Sequence, residues 1–122
     1  MVRLTTDKNT ADMNSTELAH NCCYAKHREA RYRDFERDVP ARDFVRELMV
    51  KYGYWKEGED KELTDDDVFD ETMLDLLQVA TYEGLDTEIL IALFYRNLWA
   101  MAELRDTLKR YEDAIEMIGL HG

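Results

Sequence analysis

Apolar residues recur with a helical period in three stretches of this chain. Phe44, Val45, Leu48, Met49 and Tyr52 fall on one face of an amphipathic helix. Asp38, Val39 and Pro40 mark its start, because Pro fits the first turn and Asp can accept a hydrogen bond from a free backbone N–H. Gly53 then offers the positive φ of a residue just past a helix end, so a helix is expected over about 39–52. A second, over about 64–82, is expected from Phe69, Met73, Leu76, Leu77 and Ala80. Thr64 opens it, with Asp65, Asp66 and Asp67 in the first turn, where carboxylates are favoured, and Gly84 closes it. Asp86 or Thr87 can cap a third, which meets no Gly or Pro before Gly119 and is expected over about 87–118.

The third stretch has two parts. From Ile89 to Ala102, 12 of 14 residues are apolar, with only Arg96 and Asn97 interrupting. A helix apolar on every side is normally buried on every side, so this part is expected at the centre of the fold. Beyond it Met101, Leu104, Leu108, Tyr111, Ile115 and Ile118 alternate at three- and four-residue intervals, a heptad-like seam between charged residues. A helix over 87–118 is about 48 Å long, whereas a compact domain of this size has a radius of gyration of roughly 14 Å. Part of the seam is therefore expected to meet a second copy in a homodimer, unless the helix bends. Asn97 lies on the same seam, where a polar residue can fix register; an ordinary buried hydrogen-bonding cluster with Arg96 and Trp99 is the plainer reading.

Residues 1–16 are polar and aperiodic and read as a flexible tail, with Met13 a possible second start. His20–Lys26 and Arg31–Arg37, rich in Cys, Tyr and Phe, read as two strands around a polar connection, a β-hairpin over about 20–37. No Asn-Gly or Asp-Gly specifies its turn. The expected fold is thus α+β and helix-dominated. An N-terminal β-hairpin is followed by three helices, the last long and central, in one domain spanning 17–122. At 122 residues and 45% apolar content, such a chain can bury a core without disulfides or metal.

Charge sharpens this picture. The net charge is −11, and residues 61–122 carry 15 acidic and 5 basic side chains against 12 and 11 in residues 1–60. Such a chain is expected to bind neither free nucleic acid nor an anionic membrane, since phosphate affinity comes mainly from Lys and Arg. A basic protein suits it better. No long apolar run or signal-like N-terminus is present, and the adjacent Cys22 and Cys23 read as reduced thiols, so a cytoplasmic location is expected.

Glu57, Glu59, Asp60, Glu62, Asp65, Asp66, Asp67, Asp70 and Glu71 place nine carboxylates within fifteen residues. An EF-hand loop begun at Asp60 would put Glu71 at position twelve, but Asp65 stands where the sharp turn needs Gly. Magnesium-dependent phosphate chemistry would need converging acidic pairs; Glu71 with Asp75 and Glu112 with Glu116 are each one turn apart, without a basic or Gly-rich cradle. Six carboxylates from Asp65 to Asp75 span about 15 Å, or one per ~3 Å against roughly 3.4 Å per charge along a DNA strand. The stretch is therefore a candidate partner-binding surface that mimics a phosphate backbone, or else a solvated loop and helix start.

Zinc at His20, Cys22, Cys23 and His27 is disfavoured, because neighbouring strand residues point to opposite faces. Lys26 and Arg28 offer only weak support for a reactive thiolate. Lys26, Arg28, Arg31, Arg33, Arg37, Arg42 and Arg46 are interleaved with Tyr24, Tyr32 and Phe35, but also with Glu29, Asp34, Glu36, Asp38 and Asp43. An ion-paired surface is a better reading than a stacking platform for single strands. No metal, cofactor or catalytic residue is expected.

The segments ELAHNCCY, RYRDFERD and LIALFYRNLWAMAELRD resemble small uncharacterised proteins carried on mobile elements of Gram-positive bacteria. The resemblance covers most of residues 17–112 and implies a context in which small acidic proteins block host defence or regulatory machinery. The leading expectation is therefore a non-enzymatic inhibitor or modulator of a basic nucleic-acid-binding protein, of anti-CRISPR or anti-restriction type. The alternative is a homodimeric helical adaptor or regulator that uses the apolar seam.

Overall fold

The computed structural model describes residues 2–84 and 86–121, the side chains of residues 80–83, 120 and 121 excepted. Their order is α1 (Ser15–Asn21), β1 (Cys23–Lys26), β2 (Glu29–Arg33), β3 (Asp38–Pro40), α2 (Ala41–Lys51), α3 (Asp66–Glu83) and α4 (Thr87–His121), with single 3₁₀ turns at Thr10–Asp12 and Lys61–Leu63. The architecture is α+β and helix-dominated, as the hydrophobic pattern predicts. The hairpin gains a third strand, giving a sheet in the order β1-β2-β3. The chain divides into two compact units, Met1–Val39 with Leu98–Gly122, and Pro40–Asn97. Among the described residues no helix is long and apolar enough to cross a membrane.

In the first unit, residues read as a flexible tail and the start of a strand are in fact held in place. Asn14 and Glu17 form a capping box: the Asn14 side chain accepts from the Glu17 amide at 2.8 Å and Glu17 accepts from the Asn14 amide at 3.1 Å. His20 and Asn21 are consequently helical, and the hairpin begins only at Cys23. Lys26 pairs with Glu29, so its loop is His27-Arg28, with φ of 54° and 65°. Positive φ at both central residues is the type I′ turn, whose twist matches that of the paired strands. Neither residue is the Asn or Gly that favours it.

The unit's polar interior is organised on wholly buried Asn21. Its amide donates to the carbonyls of Leu4 and Glu17, and its oxygen accepts from the Thr6 amide and from Arg105 Nε at 3.1 Å. Buried Glu112 accepts from the amides of Leu4 at 2.8 Å and Thr5 at 3.0 Å and from the Thr5 hydroxyl, while Arg3 reaches Asp113 and Glu116. Residues 3–6 are thereby fastened along α4. Burial pushes the Glu112 carboxyl up, but the Thr5 hydroxyl, the Leu4 and Thr5 amides and Arg3 outweigh it and hold the group below its ordinary value.

The second unit has the apolar core that the sequence foretells. Ala41, Val45 and Met49 of α2, Phe69 and Met73 of α3, and Ile89, Ile91, Ala92 and Tyr95 of α4 are buried, with Trp55 joining from the loop. Phe69 meets the rings of Trp55 and Tyr95 edge-on, at 5.6 and 4.9 Å between centroids. Leu76 and Leu77 are half-buried, and the side chain of Ala80 lies outside the described residues.

Helix ends follow local chemistry, with two corrections. Asp38 does not cap α2; it lies in β3 and accepts from Arg31 and Tyr24, leaving Pro40 at the cap. Asp65 rather than Thr64 caps α3, accepting from the amides of Asp67 and Val68. Gly53, with φ of 80°, ends α2 as expected: its amide bonds to the Val50 carbonyl and that of Tyr54 to Met49. Asp86 caps α4 through the Ile89 amide at 2.9 Å.

Candidate functional site

The acidic stretch is largely spent on its own unit. Asp65 is the cap of α3. Asp66 binds Arg46 at 2.7 Å and lies 3.9 Å from Arg42, and Asp70 takes a two-point contact from Arg42, at 3.0 and 2.6 Å, and the Tyr95 hydroxyl at 2.9 Å. Burial pushes the Asp70 carboxyl up, but Arg42 and Tyr95 prevail and keep it below the ordinary carboxylate range. Asp60 accepts from the Lys56 amide and Glu62 from the Thr72 hydroxyl. Glu57, Glu59, Asp67 and Glu71 are exposed, without a side-chain partner among the described residues. On α3 the unpaired series is Asp67, Glu71 and Asp75, one per turn and about 6 Å apart along the axis. That is about half the axial charge density of a DNA strand.

Several of the arginines that interleave the aromatics are ion-paired, as their neighbours suggest. Arg31 binds Asp38, Arg37 lies 3.6 Å from Asp34, and Arg42 and Arg46 reach α3. Arg33 donates to the Asn21 carbonyl and stacks 4.4 Å above the Tyr24 ring. An open groove of about 500 Å³ beside α2 is lined by Arg46 and Lys51 but equally by Asp43, Glu47 and Glu57, so no single sign of charge converges there.

The expectation that Cys22 and Cys23 point apart is overturned. Cys22 caps the C-terminus of α1 in a right-handed conformation (φ −70°, ψ −28°), so the extended run is broken there and the two sulfurs lie 3.9 Å apart. A hydrogen bond from Cys23 lowers the Cys22 thiol from 9.0 to about 6, and the same sharing raises Cys23. Among the described residues no three His, Cys, Asp or Glu converge as a metal site.

The seam on α4 is where the structure departs most from a closed fold. Met101, Leu104, Leu108, Tyr111, Ile115 and Ile118 are 36% to 71% exposed, as is Met117 beside them. The opposite face of the same segment carries Leu98, Ala102, Arg105 and Glu112, all buried. Nor is the preceding apolar stretch enclosed on every side: Leu90 and Phe94 are also exposed, and Asn97 with them. The periodicity located this face, and the expectation of all-round burial is what fails.

Fold and surface together define a small α+β protein whose most distinctive feature is a solvent-facing apolar ridge on its last helix. In comparisons with known proteins, no family model, no curated protein and no solved structure matches this chain.

Proposed function

We propose that this chain works by binding another protein through the exposed face of α4, not by catalysis. The observation that carries the reading is that all six seam residues face solvent while the reverse side of the helix is packed. Large apolar side chains aligned over about 25 Å of helix form a ridge suited to lie against another helix. Burying each such side chain fully is worth at most about 1.5–3 kcal/mol, and association has to offset lost freedom, so several must be buried together. A cytoplasmic setting belongs to the proposal, supported by the two free thiols.

A second reading, inhibition of a basic nucleic-acid-binding protein by phosphate mimicry, is favoured by the unpaired row Asp67, Glu71 and Asp75. It draws on fewer charges than the sequence offers. One pull-down separates the two, using wild type, Leu108→Asp and an Asp67→Asn, Glu71→Gln, Asp75→Asn variant as baits. On the α4 reading Leu108→Asp loses the partner, by at least about tenfold given the lost burial, and the acidic variant keeps it. Loss with the acidic variant alone overturns the α4 reading in favour of mimicry.

A further inference from the structure

Resting on that reading, we propose that the occupant of the α4 face is a second copy of this chain, paired antiparallel about a two-fold axis beside Thr107. Ala100, Thr107 and Ala114 recur every seventh residue, and all three are exposed. At 100° per residue they form a narrow strip flanked on one side by Leu104 and Tyr111, with Met101 and Leu108 beyond, and on the other by Glu103 and Arg110. Small side chains along a strip let two backbones approach, and the apolar ridge beside it then packs across the junction.

Charge selects the direction. Glu103 and Arg110 are exposed, two turns apart on the same side of the strip. Among the described residues Glu103 has no partner, and Arg110 donates only to the Thr107 hydroxyl, at 3.2 Å. An antiparallel pairing centred between Asp106 and Thr107 sets Glu103 of each copy level with Arg110 of the other. It also brings Met101 and Tyr111, Leu104 and Leu108, and Ala100 and Ala114 to within one residue of level across the axis. A parallel pair in register would instead set Glu103 and Arg110 of each copy against Leu104 and Tyr111 of the other, so neither charge would meet its opposite. About a dozen residues per copy is less than the 20–30 a side of a standard interface, so the dimer is expected to be weak, dissociating at roughly micromolar concentration.

Cross-linking reads the register directly. In a full-length chain carrying Cys22→Ser and Cys23→Ser, single Thr107→Cys, Ala100→Cys and Ala114→Cys variants are treated with a short thiol-to-thiol linker. Thr107→Cys should link to itself, whereas Ala100→Cys should link efficiently only when mixed with Ala114→Cys. In parallel, Glu103→Arg should weaken self-association in sedimentation by roughly tenfold, and adding Arg110→Glu should restore most of it. Self-linking of Ala100→Cys overturns the antiparallel register while leaving α4 as the binding face. No linking at any position, with a monomer at the highest soluble concentration, overturns the second copy as occupant; the Leu108→Asp pull-down then decides separately whether the face binds another protein. All substituted α4 positions are exposed, so circular dichroism should be unchanged.

Discussion

At the scale of single residues, local chemistry and local strain are both visible. His27 and Arg28 hold positive φ where Asn and Gly are favoured, a conformation that costs an L-residue up to roughly 1–2 kcal/mol. Replacing them together, as His27→Asn and Arg28→Gly, should therefore stabilise the protein by about 1 kcal/mol after the added chain entropy of Gly. Thermal unfolding should move up by about 4 °C, and an unchanged midpoint would show that the turn is not strained. Much at this scale was legible beforehand. Gly53 and Asp86 act as their identities suggest, because end signals depend on a few neighbouring atoms. Asn14-Ser-Thr-Glu17 was equally readable as a capping box and was hidden only by the polarity around it. Cys22 could not be placed, since its sulfur meets that of Cys23 because α1 hands over to β1 at this point.

Among the elements, the three later helices were legible to within about three residues because each carries a periodic apolar face and an end signal. The N-terminal segment was not. Its order comes from Asn21, Arg105 and Glu112, partners up to 108 residues away, and such pairing leaves no period in the sequence. Glu112→Gln should cost about 1–3 kcal/mol by weakening an acceptor shared by two amides, with faster hydrogen exchange at Leu4 and Thr5. The carboxylate sits below its ordinary value of 4.5 in the folded chain, so its contribution is complete above that pH and lost as the pH falls through the folded value. Wild type should lose stability on acidification below about pH 4.5 more steeply than Glu112→Gln. Parallel curves would mean that Glu112 does not couple to folding. The same distance effect limited the acidic stretch: its composition was plain, but its pairing with Arg42 and Arg46 required the packing of α2 on α3.

For the whole molecule, a net charge of −11 gives the two modes of binding opposite responses to salt. Two such copies repel at long range, and raising ionic strength from about 0.01 to 0.15 M shortens the screening length from roughly 30 to 8 Å. Self-association through α4 should hold or tighten over that range, whereas a complex of Asp67, Glu71 and Asp75 with a basic groove should loosen. Sedimentation equilibrium at the two salt levels distinguishes them, and a dimer that falls apart with salt would count against the apolar face. The division of the chain also has a bearing on how the protein is made. Residues 40–97 are continuous and can assemble as they leave the ribosome. Thr5 and Asn21 have no Glu112 or Arg105 to meet until 107 and 84 further residues, respectively, have been added. The earlier segment must wait for the later one, and in that interval its unmet polar groups are on offer to whatever else can satisfy them.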